Sequence, residues 1–136
     1  MNPRARYGVD REAEAKGTVV KIDDMEFTVR SATAANRGYR YALAINAAKH
    51  RPALDAGGSI AFDVHETILI EAFADCVVLG WSNVDGPDGQ PLPFTRENVV
   101  QLMEDCPELW DKLREVTLDV ERFRPAQEDG AALGKS

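Results

Sequence analysis

From Thr18 the chain alternates apolar and polar positions through TVVKI, breaks at Asp23-Asp24, and alternates again through MEFTV. A two-residue break between alternating runs predicts a hairpin, here over 18–30, and sets its register. Ile22 falls opposite Met25, Lys21 opposite Glu26, Val20 opposite Phe27 and Thr18 opposite Val29. The apolar pairs then share one face, while Lys21 and Glu26 attract each other across the other, which favours this register over a slipped one. A lone hairpin is marginal in water, so its apolar face must pack on helices.

The period then changes to that of helices. Residues 34–50, after Ser31 or Thr33 as a cap, read as a helix with Tyr41, Ala42, Ile45 and Ala48 on the buried side and Arg37, Arg40 and Lys49 outside. Residues 60–80 form the most apolar segment, with Asp63, Glu66, Thr67, Glu71 and Asp75 confined to its remaining side, as in a central core helix. Thr95 caps a helix over 96–105, with Glu97 placed for the dipole at its start. Pro107 opens another over 107–123, preceded by the capping-box spacing of Asp105 and Glu108. On it Leu109, Leu113, Val116, Val120 and Phe123 make one stripe, Trp110 lies at the stripe's edge and Leu118 points away. Trp110 and Leu118 are therefore the candidate partner-binding residues. Residues 1–16 and 125–136 show no period and read as a flexible arm and tail. The expected architecture is mainly α with a small N-terminal β-hairpin (α+β): about four helices packed on one two-stranded hairpin in a single domain, 17–124.

Charge narrows the partner. The net charge is -7, and it is divided unevenly: residues 1–51 carry 10 Lys/Arg against 6 Asp/Glu, residues 52–136 carry 6 against 17. Phosphate binding needs clustered cations, so nucleic acid is not the expected partner, and a protein with a basic or mixed face is. Cys76 and Cys106 stand far apart and form no CxxC, which fits two free thiols in a reducing cytoplasm. No apolar run is long enough for a signal peptide core or a membrane span.

Catalytic and metal chemistry find little to stand on. His65-Glu66 lacks the second histidine of a zinc-protease helix, since position 69 is leucine. The stretch WSNVDGPDGQPLPFTREN, 81–98, is rich in Asp and Gly, yet no frame supplies calcium ligands at the required positions. Its Asp85-Gly86 and Asp88-Gly89 are consecutive turn signals, Pro91 and Pro93 hold the chain extended, and Trp81, Leu92 and Phe94 can anchor it to the core. It reads as a stiff joint. No cofactor, metal site or catalytic constellation is expected, and the protein is read as a non-enzyme.

The order of residues in that joint also carries a likeness. Trp81, Val84, Asp88-Gly89, Pro91-Leu92-Pro93-Phe94, Glu97-Asn98 and Pro107, with Phe123 as a late aromatic, resemble the tail assembly chaperones of long-tailed bacteriophages, over nearly the whole chain. Val99 departs from the small residue expected after Glu-Asn, and the ending Gly134-Lys135-Ser136 departs from Lys-Asn. The resemblance implies a non-enzymatic factor of the host bacterial cytoplasm, missing from the mature virion. Such a factor keeps the long tape measure protein soluble and recruits tail-tube subunits. It also implies a longer product made by a -1 ribosomal frameshift, for which Gly134-Lys135, encodable as GGG AAA, is the candidate slip site. A virion structural subunit of tail or neck, an acidic inhibitor mimicking DNA, and a homo-oligomer remain open on the residues alone.

Overall fold

The computed structural model describes residues 1–119. Along the chain run α1 (Pro3–Tyr7), α2 (Arg11–Lys16), β1 (Thr18–Ile22), β2 (Met25–Val29), α3 (Arg37–Lys49), α4 (Arg51–Ala56), α5 (Gly58–Cys76), β3 (Val78–Ser82), α6 (Arg96–Asp105) and α7 (Pro107–Thr117). Phe123, the end of the helix expected over 107–123, and the tail at 125–136 lie outside the described residues.

β1 and β2 pair antiparallel in the register that the Asp23-Asp24 turn sets, from Thr18 opposite Val29 to Ile22 opposite Met25. Asp23 accommodates the reversal with a φ of 57°. The expected architecture of about four helices on a two-stranded hairpin is nevertheless wrong, since α1, α2 and α4 are further helices and the sheet has a third strand. β3 adds antiparallel to β2, giving a three-stranded sheet of order β1-β2-β3. Between Thr28 opposite Gly80 and Val29 opposite Val78 the register shifts, leaving Leu79 out of the pairing.

The apolar run read as one helix over 60–80 is thus two elements. α5 stops at Cys76 because other groups take its terminal carbonyls: the buried Asn36 side chain donates Nδ2 to the Cys76 carbonyl at 2.9 Å, and the Arg30 amide donates to the Val77 carbonyl at 2.8 Å. Val77 keeps a helical backbone as the C-cap, and from Val78 the chain continues in the extended conformation that suits β-branched residues on a sheet.

The arm is also structured. Asn2 caps α1 through its side-chain oxygen, and Asp10 caps α2 with bonds of 3.1 Å from the Glu12 and Ala13 amides. Glu14 of α2 is buried and receives the Arg30 guanidinium in two bonds, of 2.6 and 3.2 Å, which ties the arm to the end of β2. Gly17 joins α2 to β1 at a φ of 83°, with the Val29 carbonyl oxygen 2.8 Å from where a Cβ would stand, so no other residue fits.

One face of the sheet, Val20, Ile22, Phe27 and Val29, packs against Tyr39 and Ala42 of α3, Ile70 and Phe73 of α5, Val99 and Met103 of α6, and Trp110 and Leu113 of α7. Edge-to-face rings run from Tyr39 through Phe73 to Trp110, with centroids 5.5 and 4.6 Å apart. The buried side of α3 is Tyr39, Ala42 and Asn46, and Tyr41 and Ile45, expected inside, are exposed. The cause is polar: Asn46 is drawn inward by Asp75, to which its Nδ2 donates at 3.0 Å.

Candidate partner-binding surface

The joint after β3 is built from its own side chains. The Gly86 amide donates to the Gln90 carbonyl, the Leu92 amide to the Val84 carbonyl, and Asp85 bridges Pro91, closing a small hairpin around Asp88 and Gly89. Gly89 takes a φ of 78° at the exposed tip, where the Asp88 carboxylate accepts from the Gln90 amide. Trp81 holds the return: its indole N–H donates to the Leu92 carbonyl at 2.9 Å, and its ring meets Phe94 and Phe27 edge-on at 5.1 and 6.2 Å. Asn98 locks the far end by donating to the Pro93 carbonyl, while Thr95 caps α6. Trp81, Leu92, Pro93, Phe94 and Asn98 therefore form one cluster, with Pro91 leading into it and Glu97 exposed on the first turn of α6. The Asn83 side chain donates to the Asp24 carbonyl at 2.7 Å, linking the start of the joint to the β1–β2 turn.

The two candidate contact residues part company. Leu118, at the C-cap of α7, is 58% exposed. Trp110 is only 3% exposed, so its side chain belongs to the core and is not the exposed contact that its place at the edge of the stripe suggested. Its indole N–H donates to the Glu66 carboxylate, which also receives Arg114 at 3.2 Å, and the Arg114 guanidinium lies over the Trp110 ring.

Beside Trp110 opens a groove of about 390 Å³ between the first half of α5 and the α6–α7 junction. Ile70, Met103 and Pro107 contribute apolar lining, and Phe62 stands on its edge, 76% exposed. Four carboxylates surround it: Asp63 and Glu66 from α5, Glu104 from α6 and Asp111 from α7. Among the described residues, Arg114 on Glu66 is the ion pair that reaches this set, and Asp63, Glu104 and Asp111 have none. Their own attraction for cations is thus largely unspent. Hydropathy alone did not single out this groove, although Phe62 beside Asp63 on the most apolar helix was its visible trace.

A second polar cluster holds α3, α5 and α6 together. The Arg96 guanidinium donates to Asp75 at 2.6 Å and lies 3.9 Å from Glu71, while Glu71 also meets His50 at 2.8 Å and Lys49 at 3.5 Å. Burial alone would push the Asp75 carboxyl up, but hydrogen bonds from Arg96 and Asn46 and the charges of Arg96 and Lys49 outweigh it and hold the pKa below its usual 3.8. A depressed folded pKa stabilises the fold above the unfolded value, and that contribution disappears as pH falls below 3.8 through the folded pKa. Asp75→Asn is expected to flatten the acid limb of stability. Thermal unfolding of both proteins between about pH 5 and about pH 2 checks this, since parallel curves would show that Asp75 contributes nothing there.

Among the described residues no three His, Cys, Asp or Glu side chains gather to hold a metal ion, and no helix is long and apolar enough to cross a membrane.

Comparison with known families establishes that the chain is a phage protein. Over residues 34–135 it matches the family described as YdaY prophage protein, and it belongs to that family. That description states an origin and no activity. No curated protein and no solved structure matches the chain.

Proposed function

We propose that this protein is a non-enzymatic tail assembly chaperone that covers the apolar faces of a phage tape measure protein and helps bring tail-tube subunits to it. The observation that carries the reading is the succession from Trp81 through Asp88-Gly89, Pro91–Phe94 and Glu97-Asn98 to Pro107, which resembles that family with Val99 as its departure. Membership in a prophage family supports the phage setting. The surface suits the work: Phe62, Tyr41, Ile45 and Leu118 are large apolar side chains left exposed on a chain of net charge -7. A very long helical chain with exposed apolar stripes aggregates unless such groups cover it, and an acidic coat keeps the complex dispersed.

Co-expression with the large tape-measure-like gene of the same prophage is the test. The expected result is a soluble tape measure that co-purifies with this protein, and purified virions that lack it. An insoluble tape measure together with this protein in stoichiometric amounts in virions would replace the chaperone by a structural subunit.

A further inference from the structure

We propose that the groove between α5 and the α6–α7 junction receives a short amphipathic helix of a partner chain whose apolar side chain is flanked by lysines and arginines. The groove offers such a helix both things it needs. Phe62, exposed on the rim, and the apolar lining below it accept a large aliphatic or aromatic side chain. Around them the Asp63, Glu104 and Asp111 carboxylates lie on three different helices, so cations one helical turn to either side of the anchor meet an acceptor in each direction.

Charge decides what kind of helix enters. An acidic or neutral segment would leave these carboxylates facing each other with less water around them, at an electrostatic cost, whereas ammonium or guanidinium groups replace the lost hydration. Glu66 shows the arrangement already made once inside the chain, its carboxylate shared by the Trp110 indole and the Arg114 guanidinium. A second copy of this protein is the weaker occupant. Each copy carries -7, so two copies repel each other, and on α3 Lys49 is already paired with Glu71, which leaves Arg37 and Arg40 as the cations that helix could offer. Assigning the incoming helix to the tape measure protein rests on the function proposed above; the chemistry of the groove does not.

The test uses the full chain and three synthetic peptides of about fifteen residues, long enough for one amphipathic helix. One has a leucine stripe flanked by lysines, one has every lysine replaced by glutamate, and one scrambles the first so that the stripe is dispersed. The Trp110 indole N–H is the reporter in heteronuclear NMR spectra, with Trp81, outside the groove, as the internal reference. Only the striped lysine peptide is expected to shift the Trp110 signal while leaving Trp81 in place. Binding should weaken by about tenfold or more in Asp63→Lys/Asp111→Lys and also in Phe62→Ala, which removes apolar contact without touching charge. All three positions are exposed, so circular dichroism should show an unchanged fold. Equal binding of the scrambled peptide, or binding indifferent to these substitutions, overturns the proposal. So does self-association of the free protein that the charge-reversed variant abolishes, which would put a second copy in the groove. Co-expression with the tape measure separates the two claims. If the charge-reversed variant solubilises it as well as the native protein does, the chaperone reading stands and the tape measure is not the groove's partner; if neither solubilises it while the peptide binds, the groove inference stands and the chaperone reading falls.

Discussion

Replacing Asn36 with aspartate is expected to destabilise the protein by about 3 kcal/mol at neutral pH, because a buried donor becomes a charge facing acceptors. Asn36 is fully buried, and each of its side-chain atoms is committed. Oδ1 accepts from the Tyr39 amide and caps α3, while Nδ2 donates to the Ser31 and Cys76 carbonyls at 3.1 and 2.9 Å. An introduced carboxylate keeps the cap and loses both donations. Since its neutral form is favoured in the fold, part of the loss should return on mild acidification, opposite in sign to the Asp75 contribution. Asn36→Ala removes cap and donors together and should cost a similar amount without that recovery. Urea denaturation at two pH values separates the cases, and a change under about 0.5 kcal/mol for either variant would contradict the role assigned to this side chain.

Trp110→Ala is expected to cost about 4 kcal/mol, since it empties a core site in contact with Phe73 and strips Glu66 of one of its two partners. Trp110→Phe, which keeps a ring against Phe73 but loses the indole donor, should cost about 1.5 kcal/mol. Leu118→Glu, on an exposed C-cap, should change stability by no more than about 0.5 kcal/mol. The contrast matters for function. Lost chaperoning in Trp110→Ala reports unfolding, whereas lost chaperoning in Leu118→Glu would report a contact. Equal stability of the alanine and native proteins in thermal denaturation would remove Trp110 from the core.

Trp110 also marks where sequence and structure diverge, while Leu118 is exposed as its place off the stripe implied. The β1–β2 register was readable because a tight turn and cross-strand pairs such as Lys21 with Glu26 act locally, and the cap at Thr95 and the start at Pro107 are equally local signals. β3 was not readable from composition, since Val77-Val78-Leu79 continues the apolar run of α5. What ends that helix is Asn36, forty positions upstream, and the Arg30 amide. Tyr41 and Ile45 look like core residues, but the Asn46–Asp75–Arg96 network turns α3 the other way, and hydropathy assigns no inward pull to an asparagine. The candidate surface follows suit. The joint of Trp81 to Asn98 is a local construction, while the groove is assembled from three helices and exists only after they pack.

The strand order β1-β2-β3 has a consequence for synthesis. The outer edge of β2 stays open until α3, α4 and α5 have been made and β3 emerges behind them. A chain halted on the ribosome before Val78 carries an unzipped sheet margin able to recruit any extended neighbour. Once β3 is made it covers that margin from within the same molecule, and the open edges of the finished sheet are β1 and β3.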